Sequence, residues 1–114
     1  MDAEREEGER RLEETLARLE PEAARLSANA REFESICLGT RGEHHSCERL
    51  FTEVSTSADT LGRGLQEAEE DARRSWVVPG IVRDLRRRHG LDEATWSDLA
   101  AMVRRLEAQY RGKP

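Results

Sequence analysis

The sequence is poor in the residues that build β-structure and membrane spans. Aromatic residues make up 4% of its 114 residues, and no run of β-branched residues alternates with polar ones. Strands depend on such patterns, so the composition argues against a β-sandwich or β-barrel. No stretch approaches the roughly 20 apolar residues that a membrane span requires, and the charged residues 1–7 lack the apolar centre of a signal peptide. We therefore expect a soluble intracellular protein, either cytoplasmic or nuclear.

The sequence also lacks the residue sets that carry catalysis. It has no nucleophile paired with a base, no two carboxylates in an apolar segment, and no glycine-rich phosphate loop. Acidic residues are abundant, but they occupy the polar faces of heptads, where charge usually serves solubility. We therefore predict a protein that is not an enzyme, with no catalytic, cofactor-binding or metal-binding residues.

Charge is abundant and unevenly distributed. Charged residues make up 38% of the chain and apolar residues 36%, a balance typical of long helices with solvated faces. Residues 81–114 carry eight Arg or Lys against five acids and are net +3, which leaves −8 for residues 1–80 from the total of −5. Non-specific nucleic-acid binding needs a concentrated positive field, so this distribution argues against nucleic acid as a partner.

Two stretches have the heptad spacing of packed helices. Apolar or small residues recur at intervals of four and three over residues 12–37 and again over 47–72, a pattern typical of a coiled-coil seam. The first seam comprises Leu12, Leu16, Leu19, Ala23, Leu26, Ala30, Phe33 and Cys37. The second comprises Cys47, Phe51, Val54, Ala58, Leu61, Leu65, Ala68 and Ala72. Residues 38–46 contain two glycines and no apolar period, and we predict a loop there, with Gly39 ending one helix and Ser46 capping the next.

The two seams match each other when the chain folds back at Gly42. Residues whose numbers sum to 84 then face each other, so that Cys37 meets Cys47 and Phe33 meets Phe51. Several layers place a large residue opposite a small one, which lets the helices interdigitate. We therefore predict an all-α fold in which residues 12–76 form a long antiparallel, coiled-coil-like hairpin. Residues 1–11, which are highly charged, are expected to be frayed.

Helix-weakening residues lie at one level of this hairpin. Pro21 interrupts the first arm, on the face away from the seam, and Gly62 and Gly64 lie opposite it in the second arm. Both residue types weaken a helix interior. Two interpretations stay open: a tolerated bend, or a hinge used in binding.

Residues 77–114 are predicted to form two shorter helices in the same domain, which would complete a helical bundle. A turn at residues 76–80 precedes a short helix over 81–89, which Gly90 ends. Asp92 is the predicted N-cap of an amphipathic last helix. The apolar positions of that helix are Trp96, Leu99, Met102, Val103, Leu106 and Tyr110. The two helices could pack on the hairpin or on another subunit.

A hairpin this rich in alanine buries too little apolar surface to be stable alone, which indicates that other helices pack on it. We therefore predict a non-enzymatic assembly subunit, a coiled-coil adaptor or scaffold that joins protein partners as a homodimer or a hetero-complex. The predicted partner-binding residues are a groove of small residues and a cluster of apolar ones: Ser55, Ser57, Gly62 and Gly64, with Trp76, Val77, Val78, Ile81, Trp96 and Met102.

Cys37 and Cys47 allow three interpretations. They are small apolar seam residues, a disulfide across the mouth of the hairpin, or zinc ligands together with His44 and His45. Their nine-residue spacing resembles half of the cysteine pattern in the small helical-hairpin proteins of the mitochondrial intermembrane space. That family has two such pairs and this chain has one, so no function is carried over. A thiol-redox or metal-binding hairpin is an alternative function.

The basic segment 83–89 supports another alternative, a regulatory or nucleic-acid-associated module. The run of Arg86, Arg87, Arg88 and His89 is either the solvated face of a short helix or a contact for phosphates or an acidic partner. Residues 81–106 have the outline of a helix-turn-helix. The helix that would then enter the DNA groove opens with acidic residues, which would repel the DNA backbone.

Overall fold

The computed structural model describes residues 2–38 and 44–112, apart from the side chains of residues 2 and 44–46. Helix α1 spans Asp2–Phe33, and a π-helical turn continues it over Glu34–Leu38. Helices α2, α3 and α4 span His44–Arg74, Pro79–Arg88 and Glu93–Arg111. No strand occurs in these described ranges, and the predicted all-α fold is confirmed. None of the four helices is long and apolar enough to cross a membrane, within the residues described.

Helices α1 and α2 pack as an antiparallel hairpin on the two predicted seams. All the seam residues are buried except four that are half-buried: Leu19, Ala23, Phe51 and Ala58. At the closed end, the rings of Phe33 and Phe51 lie 5.9 Å apart between centroids. The Cα atoms of Cys37 and Cys47 lie 5.7 Å apart. Both predicted layers are therefore present at this end of the hairpin.

Helices α3 and α4 follow one another along the α1–α2 hairpin, in contact with both arms, and complete a bundle of three helical columns. Arg86 of α3 bonds to Glu69, and farther along Tyr110 of α4 stacks on Phe51 with 4.8 Å between ring centroids. The chain thus retraces α2 in the opposite direction, giving a bundle of 57 × 19 × 18 Å. The sequence left open whether the two C-terminal helices pack on the hairpin or on another subunit. In the structure they cover their own hairpin.

Two predicted helix starts need correction. Helix α2 begins at His44, so Ser46 lies inside its first turn instead of capping it. The apolar period of α2 starts with the buried Cys47, so the three helical residues before it carry no periodic signal in the sequence. Helix α3 begins at Pro79 instead of residue 81, since the fixed φ of proline suits the first turn of a helix. The predicted roles of Gly39 and Gly42 lie outside the described residues.

The N-terminal segment, expected to be frayed over residues 1–11, is helical wherever it is described. Gly8 is buried, and a Cβ placed on it would overlap the Cβ of Ser75. The Arg11 guanidinium donates to Asp71 at 3.0 Å and to the Ser75 hydroxyl at 2.6 Å. The hydrogen bond to Asp71 raises the pKa of Arg11. These contacts extend the hairpin by about a turn and order a segment that has no apolar period.

Close packing accounts for the two glycines that were predicted to oppose Pro21. A Cβ on Gly64 would lie 2.7 Å from a δ-carbon of Leu19, and a Cβ on Gly62 would lie 3.0 Å from the Trp96 ring. Helix α1 continues through Pro21, which is exposed. Each glycine therefore makes room for a large side chain inside one bundle.

Replacing Gly8 with alanine should destabilise the protein, although alanine is the better helix former. The added Cβ must displace Ser75, and overpacking of this kind costs about 1–3 kcal/mol. The free energy of unfolding in urea measures it. Gly80→Ala is the matched control, since a Cβ there meets nothing within 4 Å. A neutral or stabilising Gly8→Ala would mean that Gly8 is not packed against Ser75.

Candidate functional site

The predicted groove of small residues is largely filled from within the chain. The ring of Trp96 lies against Gly62, and the Ser55 hydroxyl lies 3.5 Å from a carboxylate oxygen of Glu107 on α4. The small residues on α2 therefore serve first to admit neighbours of the same chain. Two further members of the predicted groove are Ser57, which is buried, and Gly64, which contacts Leu19 of α1.

The predicted apolar cluster divides into buried and exposed members. Val77 is buried, and Ile81 and Met102 are half-buried against the core. Trp76 and Val78, in the turn between α2 and α3, are 71% and 46% exposed. These two side chains are the part of the cluster that remains available to a partner.

Trp76 has an unusual backbone. Its φ is 63°, and it is the only residue other than glycine with a positive φ in the described chain. It ends α2 in a Schellman motif, because its N–H donates to the Arg73 carbonyl at 3.2 Å and the Val77 N–H donates to the Ala72 carbonyl at 2.9 Å. The left-handed position of this motif is usually glycine.

The end of α3 shows the same motif with the usual residue. Gly90 has φ 68°, and it donates to the Arg87 carbonyl at 3.0 Å while Leu91 donates to the Arg86 carbonyl at 2.8 Å. A non-glycine residue in this conformation costs roughly 1–2 kcal/mol. The backbone of Trp76 is therefore strained, although its side chain is mostly exposed and adds little to the core. Backbone strain of this kind is typical of functional positions.

Three cavities lie end to end between α2 and the α3–α4 column; we call them together the α2 groove. Their volumes are about 610, 460 and 480 Å³, counted from the Trp76 end. Neighbouring cavities share lining residues, so the α2 groove is a row of adjoining cavities with the shared side chains lying between them. It follows α2 from Trp76 to Ser55, roughly 30 Å at the helical rise per residue. The shared residues are Glu69, Arg86 and Glu93 at the first junction and Ala58, Asp59 and Trp96 at the second.

The largest of these, the Trp76 cavity, is apolar at one end and charged at the other. Its apolar walls are Trp76, Val77, Val78, Pro79 and Val82. A volume of this size lies within the range of sites that take small ligands or side-chain anchors. The charged walls are Glu69, Arg73, Arg83, Arg86, Asp92 and Glu93.

Arg86 corrects the expectation that the basic run is a solvated face. It is only 5% exposed, and its Nε donates to the Leu91 carbonyl at 2.8 Å. Its Nη1 donates to Glu69 of α2 and to Glu93 of α4, the latter at 3.0 Å. One guanidinium therefore joins α2, α3 and α4. The run of four basic residues in the sequence does not indicate which of them is buried.

Other members of the basic run are also paired within the chain. Arg88 lies 3.5 Å from Glu13, and the His89 ring bonds to Glu20. Arg87 is exposed and lies 3.9 Å from Asp84. Helices α3 and α4 each pack on the α1–α2 hairpin.

The charges of the α2 groove are unequally satisfied. Each acid has an internal partner: Asp59 with Arg63, Glu69 and Glu93 with Arg86, Asp92 with Thr95, and Glu107 with Ser55. The hydrogen bonds from Thr95 lower the pKa of the Asp92 carboxyl, which caps α4 as predicted. In contrast, three arginines that line the groove have no ion-pair partner among residues 2–38 and 44–112: Arg73, Arg83 and Arg104.

The cysteines lie at the opposite end of the bundle from Trp76. The structure joins Cys37 and Cys47 in a disulfide, so neither sulfur is a free thiol in this state. The side chains of His44 and His45 lie outside the described part of the chain. Within that part, no group of three or more His, Cys, Asp or Glu is arranged to hold a metal ion.

Comparisons with protein-family models, with curated proteins and with solved structures found no match to this chain.

Replacing Arg86 with methionine should destabilise the bundle. The change removes bonds to two helices and leaves the Leu91 carbonyl without its donor, which costs about 1–3 kcal/mol. Chemical denaturation followed by circular dichroism gives the difference. Arg87→Met, an exposed neighbour, should stay within about 0.5 kcal/mol of wild type. Equal effects of the two changes would show that Arg86 does not join the helices.

Replacing Trp76 with glycine should preserve or raise stability, whereas alanine at the same position should not. Glycine relieves the left-handed strain and alanine retains it, so the glycine variant should be more stable than the alanine variant by about 1 kcal/mol. Thermal unfolding of both variants measures this difference. Equal stabilities would contradict a left-handed backbone at position 76.

Proposed function

We propose that this protein is a non-enzymatic interaction module that binds a helix of a partner protein in the α2 groove, with Trp76 as an anchor. The observation that carries the proposal is the strained, exposed Trp76 at the end of a row of adjoining cavities between α2 and the α3–α4 column. The groove is long enough for a partner helix of about 20 residues.

Known modes of recognition support this function. Amphipathic helices bind apolar grooves through anchors on one face, and exposed tryptophans are frequent among the residues that dominate binding energy. A helix in the α2 groove would give the bundle a fourth column, a common arrangement of packed helices. The protein would then act as an adaptor whose fold is complete but whose groove is open.

The alternative functions have less support. A nucleic-acid-associated module would use the segment 83–89, but Arg86, Arg88 and His89 are engaged with acids of the same chain. A thiol-redox or metal-binding function would use the Cys37–Cys47 pair, which is bonded as a disulfide and lies away from the groove.

Site-specific photo-crosslinking tests the proposed function. A photoreactive phenylalanine analogue replaces Thr56 or Val78 of the full chain, at the two ends of the groove. After irradiation in an extract of the source cells, both positions should capture the same protein through a helical segment. Ala24, exposed on α1, is the control position and should not capture that protein. No product at either groove position, or the same product from position 24, would contradict the proposal.

A further inference from the structure

We infer that the helix bound in the α2 groove is acidic, with an apolar face on Trp76 and Val82 and carboxylates opposite Arg73, Arg83 and Arg104. This inference rests on the proposed function and adds the chemistry of the partner. The partner is therefore a protein segment with both apolar anchors and a row of Glu or Asp.

The balance of satisfied and unsatisfied charges along the groove supports this chemistry. Three acids of the groove are ion-paired within the chain, Asp59 with Arg63 and both Glu69 and Glu93 with Arg86. Asp92 and Glu107 lie within hydrogen-bond distance of hydroxyl groups of Thr95 and Ser55. Arg73, Arg83 and Arg104 have no ion-pair partner in the described part of the chain and are open to a new one. Arginine binds carboxylates in a bidentate fashion, and such charge-assisted hydrogen bonds are stronger than neutral ones.

The positions of the three arginines fit one continuous helix. Arg73 on α2 and Arg83 on α3 line the Trp76 cavity together, and Arg104 on α4 lines the cavity at the far end, near Ser55. These ends are separated by about 25 Å along α2. A helix of about 16 residues or more could therefore place carboxylates at both ends while its apolar residues lie between them.

The same charges disfavour a second copy of this chain as the occupant. A symmetric dimer uses the same surface of both subunits, so closing two α2 grooves on each other would bring two sets of unpaired arginines into one interface. Juxtaposed like charges suppress such pairings. The acidic partner helix therefore comes from a different protein.

Three synthetic helical peptides of 21 residues test the inference. They share one leucine face and differ only in their polar face, which carries Glu, Gln or Lys. Fluorescence anisotropy of labelled peptide measures binding to the full chain. The Glu peptide should bind at least about tenfold more tightly than the other two, and high salt should weaken its binding.

Variants locate the binding in the groove. Arg73→Glu with Arg83→Glu should reverse the preference toward the Lys peptide, and circular dichroism should show an intact fold because neither arginine pairs within the described chain. Trp76→Gly should weaken the Glu peptide at least about tenfold. Arg18→Glu with Arg31→Glu makes the same change of charge on exposed positions of α1 and should leave the preference unchanged.

The outcomes separate this inference from the proposed function. If the Gln or Lys peptide binds as tightly as the Glu peptide and Trp76→Gly still abolishes binding, the groove binds helices and the inference about acidity is wrong. If no peptide shows binding that depends on Trp76, both the inference and the proposed function are wrong. A dimer by light scattering that Trp76→Gly dissociates, or arginine-dependent binding to vesicles of phosphatidylserine and phosphatidylcholine without peptide binding, would also overturn the inference.

Discussion

The packing of α1 against α2 sets the register to which every other contact in this protein is fitted. Side chains at alternating intervals of four and three close the seam, and many of its layers contain alanine, which keeps the two helices close but buries little surface. Large apolar groups of α3, α4 and the turn between them supply the rest of the core, including Leu85, Leu91, Val103 and Leu106. Gly62 and Gly64 then become sites of close approach, because the space that they leave is filled by Trp96 and Leu19.

The two Schellman motifs, at Trp76 and Gly90, have the same backbone geometry but different left-handed residues. Gly90 adopts the left-handed conformation without strain and lets Leu91 enter the core. At Trp76 the same turn lets Val77 enter the core, but the left-handed residue carries a large ring that remains mostly in solvent. Burial of Val77 requires the turn, and nothing in the packing of the turn requires tryptophan. This contrast is the reason that we propose a binding role for the Trp76 ring.

Arginines of the same short helix have different roles because they lie at different angles around it. Arg86 lies on the buried side of α3 next to Leu85 and joins α2, α3 and α4. Arg83, one turn earlier, lines the Trp76 cavity without an internal partner among the described residues. Arg86 also offsets one of the two negative charges that Glu69 and Glu93 bring to the groove. The contact that completes the fold therefore shapes the electrostatics of the candidate site.

The sequence by itself determined the features that depend on spacing or on one local residue. These are the helical class, the layers of Phe33 with Phe51 and Cys37 with Cys47, the end of α3 at Gly90 and the cap of α4 at Asp92. It could not determine the helical structure of residues 2–11, the burial of Arg86 or the exposure of Trp76 beside the α2 groove. Periodicity records which residues face a neighbour but not which neighbour covers them. Only the placement of α3 and α4 on the α1–α2 hairpin decides which charges are paired and which apolar groups remain open, since those contacts join residues far apart in the chain.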